Sequence, residues 1–304
     1  TFGILKFIQM ILRLVLSSLL LLTCASKPAT PEDEPKRLPL ETMESYWFGG
    51  KAEISSYELK QARYGEIHQG QSVLVFVTEP FNPSKLVKSD YGSESDVQVL
   101  KLNHTKKFTT GIYPYSMMTS SFLPLENGEH SLKITSSSQE WCGHTYMELQ
   151  NKEKFEIAIH SYFEGESNLI NLEKNLLEDD IWTKIRISPE ELPKGKLKVI
   201  PSFFYLTLKH KETQAYSCEA KLTEEETTST YEMNYPGLKR KVAITFQNEF
   251  PHKILGWTES YPDGWTADAP ILTTEASVLN TIQSDYWNKN SVKDSGLRKQ
   301  LRLN

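Results

Sequence analysis

The sequence predicts a mainly β protein, built as a long antiparallel meander that forms a strongly curved sheet or an open barrel with few short helices. Three observations support this fold class. Runs in which polar and apolar residues alternate recur from residue 43 onwards. Glycine, asparagine and proline separate these runs, as expected for turns. No strand–helix–strand spacing indicates a parallel sheet, so consecutive strands are expected to pair with one another.

The first segment, residues 1–23, has the layout of an export signal. Lys6 and Arg13 supply its positive charge, and the apolar run Leu14–Leu22 is too short to span a bilayer. Cys24 follows "LLLT", as in the bacterial lipobox, whose cysteine becomes the lipidated first residue of the mature protein; Thr23 stands where Gly, Ala or Ser is usual. We predict lipidation of Cys24, with an ordinary signal peptide or an N-terminal anchor helix as alternatives.

The remainder divides into three predicted segments. Residues 24–42 are rich in proline and in charges of both signs, which is typical of a disordered tether. Residues 43–275 carry the strand signals and form an antiparallel β domain, either as one body or as two halves that meet near Gly165. Residues 276–304 are predicted to hold a C-terminal helix and a polar tail, and one or two further helical turns are predicted around Leu169 to Leu177.

Charge excludes one class of partner. The chain has 34 basic and 39 acidic side chains, a formal net charge of -5, and no stripe of lysine and arginine in the predicted domain. Nucleic-acid binding is therefore not expected.

Several blocks of the sequence resemble those of flavobacterial envelope lipoproteins of unassigned function. The blocks are "YWFGGKAEISSYELKQARYGEIHQGQSVLVFVTEPF", "GIYPYSMMTSSFLPL", "SQEWCGHTY" and "IWTKIR", and the resemblance covers almost the whole mature chain. Together with the lipobox-like start, it implies a lipid-anchored protein of the bacterial cell envelope, at the outer membrane and facing the periplasm or the cell surface. By fold-level analogy, an anchored curved sheet is also similar to periplasmic carriers of lipophilic cargo.

Members of that family are often labelled "septum formation inhibitor Maf", which implies a nucleotide pyrophosphatase. Those enzymes open with a Ser-x-Ser-Pro-Arg-Arg segment that handles phosphate. This sequence departs from that pattern, since its nearest Ser-Pro pair is Ser188-Pro189 within "ISPEEL". That stretch is instead predicted to be a short turn.

The stretch "SQEWCGHTYMEL" is predicted to form one strand because its residues alternate in character. On that basis Trp141 lies on an apolar face that belongs to the core, and Cys142 and His144 lie on the opposite face. The next strand continues the alternation with Phe155, Ile157, Ile159 and Phe163 on its apolar side, which also belongs to the core.

A three-residue loop, residues 151–153, brings the apolar faces of these two strands together. It also places His144 directly opposite His160 and Cys142 opposite Tyr162, with Cβ atoms about 5 Å apart. One thiolate and two imidazoles suit zinc or copper. The sequence therefore gives Cys142, His144 and His160 as a candidate metal site, and no other cofactor is expected.

Two other interpretations of this strand remain open. The same register sets Glu148 opposite Glu156, which is unfavourable without a cation or solvent, so the face could line water with two incidental histidines. Cys142 and His144 could also act as a nucleophile and a base, although no Asn or Asp is placed to orient the imidazole.

The pairing state of the cysteines is also open. If Cys24 carries lipid, Cys142 and Cys218 remain, and an oxidising compartment would permit a disulfide between them. Cys218 shares its predicted face with Ala220 and Leu222, which favours a buried free thiol.

Four aromatic residues form the last candidate site, a ligand-binding surface. Tyr113, Tyr115, Trp257 and Trp265 could form a surface that contacts lipid or stacks on sugars, and core packing is the alternative. The sequence thus predicts a membrane-tethered lipoprotein that binds, carries or scaffolds a hydrophobic ligand, a glycan or an envelope partner. The alternatives are an exported metal-dependent enzyme that uses Cys142, His144 and His160, and the nucleotide pyrophosphatase that the family label implies.

Overall fold

A computed structural model describes residues 45–126, 128–264, 266 and 268–303. Its main feature is one sheet of sixteen strands within these ranges. The first eight strands are β1 Ala52–Arg63, β2 Glu66–Asn82, β3 Val87–Lys88, β4 Val97–Thr110, β5 Tyr113–Pro124, β6 Lys133–Glu140, β7 Gly143–Asn151 and β8 Phe155–Ser161. The others are β9 Asn168–Leu172, β10 Leu176–Leu177, β11 Gly195–Ile200, β12 Tyr216–Glu224, β13 Thr228–Tyr235, β14 Arg240–Gln247, β15 Ile254–Pro262 and β16 Ile271–Ser284.

The sheet is a curved meander that does not close. Its order is β10-β11-β12-β13-β14-β15-β16-β1-β2-β4-β5-β6-β7-β8-β9, with the short β3 beside β2. All these pairs are antiparallel except β10 with β11. The predicted fold class, a mainly β protein with a strongly curved antiparallel sheet, is confirmed. The sheet continues past Gly165, which lies in the turn between β8 and β9 with a φ of 79°.

The described part of the chain includes the short helices α1 Glu178–Ile187, α2 Phe203–Leu208 and α3 Gly296–Gln300, which accompany the sheet. The helical turns predicted around Leu169 to Leu177 are wrong, because that stretch contains β9 and β10 and the helix begins one residue later. The charges explain the position of α1, since its first turn is acidic and its last turn holds Lys184 and Arg186, which complements the helix dipole.

The predicted C-terminal helix from residue 276 is also wrong in its position. β16 continues to Ser284, and α3 comes only at Gly296. Both edges of β16 are paired, one with β15 and the other with β1, more than 200 residues earlier in the chain. These backbone hydrogen bonds outweigh the local helical propensity of "TEASVLNTIQ".

The concave side of the sheet is filled by side chains. One buried cluster joins Leu74 and Phe76 of β2 with Tyr231 of β13, and also contains Ile181 of α1 and Phe204 of α2. Both helices therefore pack against the inner face of the sheet. No helix in the described ranges is long and apolar enough to cross a membrane.

Buried ion pairs attach α1 to the sheet. Arg186 donates two hydrogen bonds to Glu53 of β1, and Arg240 of β14 donates two to Glu178 and one to Glu259 of β15. All five side chains are buried. Paired charges of this kind tolerate burial because each keeps charge-assisted hydrogen bonds.

The outer face carries a smaller apolar patch that the C-terminal tail covers. Val73 and Val75 of β2 lie there together with Ile54, and Leu301 is buried against them. The tail is therefore part of the packed structure up to its last described residues.

Candidate functional site

The stretch "EWCGHTY" forms a tight hairpin and not a single strand. β6 ends at Glu140 and β7 begins at its partner Gly143, so that Trp141 and Cys142 are the two turn residues. The predicted core position of Trp141 is wrong: its side chain is 68% exposed. The reason is that the chain reverses here, and the alternation begins only at Gly143.

Beyond the turn, the predicted faces of β7 are correct. Thr145, Met147 and Leu149 are buried, whereas His144 and Tyr146 are exposed. The inward residues pack against Ile157 and the partly buried Ile159 of β8. This agreement follows from the two-residue period of a strand.

The predicted register between β7 and β8 is wrong by two residues. Tyr146 lies opposite His160, and Met147 lies opposite Ile159. His144 lies opposite Gln139 of β6, and its carbonyl accepts a hydrogen bond from the Tyr162 amide at 3.1 Å. The loop still has three residues, 152–154, but it begins one residue later than predicted.

Electrostatics explain this choice of register. A shift by two residues keeps the apolar faces together and separates Glu148 from Glu156, the unfavourable pair of the predicted register. Glu148 instead forms an ion pair with Lys133 of β6 at 3.3 Å, and Glu156 pairs with Lys152 at 2.6 Å. The observed register therefore avoids placing two like charges opposite each other.

The register also removes the geometry on which the metal hypothesis depended. His144 and His160 are not opposed, and both side chains point to the solvent side of the sheet. No group of three or more His, Cys, Asp or Glu side chains in the described ranges could hold a metal ion. The structure thus does not bring Cys142, His144 and His160 together as a ligand set.

The two described cysteines are free and differ in environment. Cys142 is exposed, and the hydrogen bond and charge of Glu140 raise the pKa of its thiol, which disfavours the nucleophilic thiolate. Cys218 is buried as predicted, and burial raises its pKa to about 12. The disulfide that the sequence left open is absent from the structure. Cys24, the predicted lipidation site, lies outside the described residues, as do residues 1–44 as a whole.

The aromatic residues predicted as a ligand-binding surface differ in their exposure to solvent. Tyr115 and Trp257 are buried, which agrees with core packing and not with a ligand surface. Tyr115 stacks on Phe108 with ring centroids 4.7 Å apart, and Trp257 packs 4.9 Å from Tyr57. Tyr113 is partly exposed, and Trp265 lies outside the described residues.

Exposed apolar side chains gather on neighbouring turns at one end of the sheet. Ile112 in the β4–β5 turn is 80% exposed, Trp141 in the β6–β7 turn 68%, and Tyr162 and Phe163 after β8 are 67% and 37% exposed. Alternate turns of an antiparallel meander lie at the same end, and neighbouring strands are about 4.8 Å apart. We call these four residues, with Tyr113, the apolar rim.

Ring contacts connect the members of the rim. The Tyr113 and Trp141 rings stack with centroids 6.4 Å apart, and Tyr162 packs edge to face on Phe163 at 5.6 Å. The Tyr162 ring lies directly on Gly143, where an added Cβ would come within 2.4 Å of the ring Cγ. Gly143 therefore provides space for an aromatic ring of the rim.

Sequence reasoning missed Ile112 and Tyr162 and assigned Phe163 to the core. A signal was available, because turns normally consist of glycine and small polar residues. Isoleucine in "TTGIYP" and tryptophan in "QEWCGH" both depart from that rule.

Comparisons with known proteins do not assign the chain to a family. No family model matches the chain, and no curated protein matches it. Among solved structures, the chain is similar to a β-barrel-like protein of a domain of unknown function, DUF1849, from Brucella abortus. That similarity has a TM-score of 0.47 and 7% sequence identity, and covers 77% of this chain and 98% of the other.

Proposed function

We propose that this chain is a tethered protein of the bacterial cell envelope, anchored through lipidated Cys24, which binds the hydrophobic surface of lipids through its apolar rim. The observation that carries the proposal is the exposure of Ile112, Trp141 and Tyr162 on adjacent turns. Contiguous exposed apolar side chains of this kind mark sites of protein, membrane or ligand contact.

The residue types of the rim favour lipid as the partner. Tryptophan and tyrosine combine an apolar ring with a polar group, which suits the boundary between acyl chains and water. Burying one large apolar side chain contributes roughly 1.5–3 kcal/mol. Ile112, Trp141 and Tyr162 together could therefore hold the domain reversibly on a lipid surface.

The filled concave side supports the rim as the binding surface. α1, α2 and the inward residues of the sheet pack together there, so that a cargo inside the sheet would have to displace a packed core. The packed core argues against transport of a ligand inside the sheet and favours ligand contact at the end of the sheet.

β1 runs towards the rim. It begins with Ala52 and ends with Arg63 at the end of the sheet where the rim lies, and its 12 residues span about 40 Å. The first residue of β1 thus lies at the end of the sheet opposite the rim.

Sedimentation with lipid vesicles tests the proposal. Residues 45–304, which contain the whole described core, would be mixed with vesicles of phosphatidylethanolamine and phosphatidylglycerol. We expect the domain to sediment with the vesicles, and the Trp141→Ser/Tyr162→Ser variant to bind at least tenfold more weakly. Tyr91→Ser is the matched control, because Tyr91 is a fully exposed aromatic residue outside the rim; it should bind like the parent.

Absence of sedimentation, or equal binding by the rim variant, would reject lipid contact. No group of three or more His, Cys, Asp or Glu side chains in the described ranges supports the metal-dependent alternative. Release of pyrophosphate from a nucleoside triphosphate by the same purified domain would favour the pyrophosphatase instead.

A further inference from the structure

A cleft of about 710 Å³ lies on the outer face of the sheet, and no rim residue lines it. Clefts that bind small molecules have volumes of roughly 300–1,000 Å³. Its walls come from β1, β2, β4, β5, β16 and the C-terminal tail. The polar lining residues include Glu58, Gln69, Gln71, Lys107, Ser116 and Arg302.

A row of polar side chains crosses the floor of the cleft. Glu58, Gln71, Lys107 and Ser116 are successive partners on four adjacent strands. They point outwards, because the residues next to them, such as Phe108, are buried on the inner face. The row therefore presents a carboxylate, an amide, an ammonium group and a hydroxyl at steps of about 4.8 Å.

Charges in this row are too far apart to neutralise each other. Two strand spacings separate Glu58 from Lys107, roughly 10 Å, whereas an ion pair requires about 4 Å. Neither side chain forms an ion pair with any residue in the described ranges, and the same holds for Arg302. The cleft thus offers two cations and one carboxylate that are available to a ligand.

The C-terminal tail fixes Arg302 at the wall of the cleft. Leu301 is buried in the outer apolar patch, and the carbonyl groups on either side of it accept hydrogen bonds: Gln300 from the Asn280 amide at 2.8 Å, and Arg302 from the Gln71 amide at 3.3 Å. Arg302 has a φ of 52°, a left-handed conformation that non-glycine residues adopt only when their surroundings impose it.

We propose that this cleft binds an acidic carbohydrate, whose carboxylate pairs with Lys107 and Arg302 and whose hydroxyl groups bond to Glu58, Gln69 and Gln71. Glutamine amides can donate hydrogen bonds to sugar hydroxyls and accept from them, and the Glu58 carboxylate can accept from them. A simple inorganic anion would instead be repelled by Glu58. An extended sugar chain would also use the whole row across four strands. This inference goes beyond the proposed lipid contact and uses no residue of the rim.

Titration calorimetry with a defined sugar tests the site. The probe is trigalacturonate, and its methyl ester is the neutral counterpart of the same shape; the protein is the full chain in detergent micelles. We expect the acid to bind at least tenfold more tightly than the ester. Lys107→Gln and Arg302→Gln should each weaken binding of the acid about tenfold, the usual effect of losing one charge-assisted hydrogen bond.

Matched controls separate this site from general charge effects and from the rim. Lys198→Gln removes an exposed lysine on β11, outside the cleft, and should leave the affinity unchanged. The Trp141→Ser/Tyr162→Ser variant should also bind the sugar normally, so the two proposals can fail independently. Equal binding of acid and ester, unchanged affinity in both cleft variants, absence of binding, or equal binding of inorganic phosphate would each overturn the proposal.

Discussion

Arg186 of α1 and Glu53 of β1 form a two-point ion pair inside the sheet, with Nη1 2.6 Å from Oε1 and Nη2 2.7 Å from Oε2. Glu53 also accepts a hydrogen bond from Tyr46. Burial by itself would raise the pKa of Glu53, but the Arg186 charge and hydrogen bonds outweigh it, so that the pKa lies below its usual value. This ion pair links α1 to β1, the central strand of the sheet.

Glu53→Gln should strongly destabilise the fold, because it leaves the Arg186 guanidinium buried without a counter-charge. We expect the free energy of unfolding in urea to fall by about 3–5 kcal/mol. Glu275→Gln is the control, since Glu275 forms a half-exposed pair with Lys60, and a change below about 1 kcal/mol is expected there. A loss for Glu53→Gln as small as that of the control would contradict a stabilising role for the buried pair.

Asp179 and Asp180 should contribute stability that is lost as pH rises from about 4 to 7. Burial raises the pKa of Asp179 to about 7 and that of Asp180 to about 6. At these two carboxyl groups the folded chain therefore binds more protons than the unfolded chain in this window, and their stabilising contribution, complete below the unfolded pKa, is lost as pH rises through the folded values.

Asp179→Asn should remove the Asp179 share of this contribution, because asparagine keeps an oxygen to accept from the Phe203 amide and does not ionise. The free energy of unfolding should therefore fall less, or rise more, with pH in this variant than in the parent. Urea unfolding at several pH values would measure the slope. Asp90→Asn, at an exposed site, should leave the slope unchanged. If the slope of Asp179→Asn matched that of the parent, Asp179 would not be a source of the pH dependence.

Gly143→Ala should weaken lipid binding while changing stability little. The added methyl group would occupy the position of the Tyr162 ring, which lies on an exposed loop and can move away. We expect less vesicle sedimentation and a change in the free energy of unfolding below about 1 kcal/mol. Gly237→Ala is a suitable control, because nothing lies within 4 Å of a Cβ at that position. Unchanged sedimentation of Gly143→Ala would show that Tyr162 placement does not matter.

Thiol labelling distinguishes the three cysteines. Maleimide should modify exposed Cys142 in the folded protein and buried Cys218 only after unfolding. For protein purified from the bacterial envelope, mass spectrometry in denaturant should count two reactive thiols if Cys24 is lipidated. Three would contradict lipidation, and none would indicate lipidated Cys24 together with a disulfide between Cys142 and Cys218.

Local alternation in the sequence was sufficient to predict the meander and most strand faces. Val73 and Val75 share a face, and Met147 and Leu149 point inwards, because the backbone of any strand places successive side chains on opposite sides. Burial of Cys218 follows from its apolar neighbours in the same way. These features depend only on residues that are close in the chain.

Tertiary structure decided the features that depend on distant residues. Every even shift of β7 against β8 preserves the same faces, so alternation could not choose between His144 and Tyr146 as the partner of His160. The observed register separates Glu148 from Glu156, which the predicted one sets opposite each other. The stretch from residue 276 to Ser284 is a strand because β1 pairs with it from the other end of the sequence. The rim and the cleft likewise exist only because the folded sheet aligns alternate turns at one end and successive strands side by side.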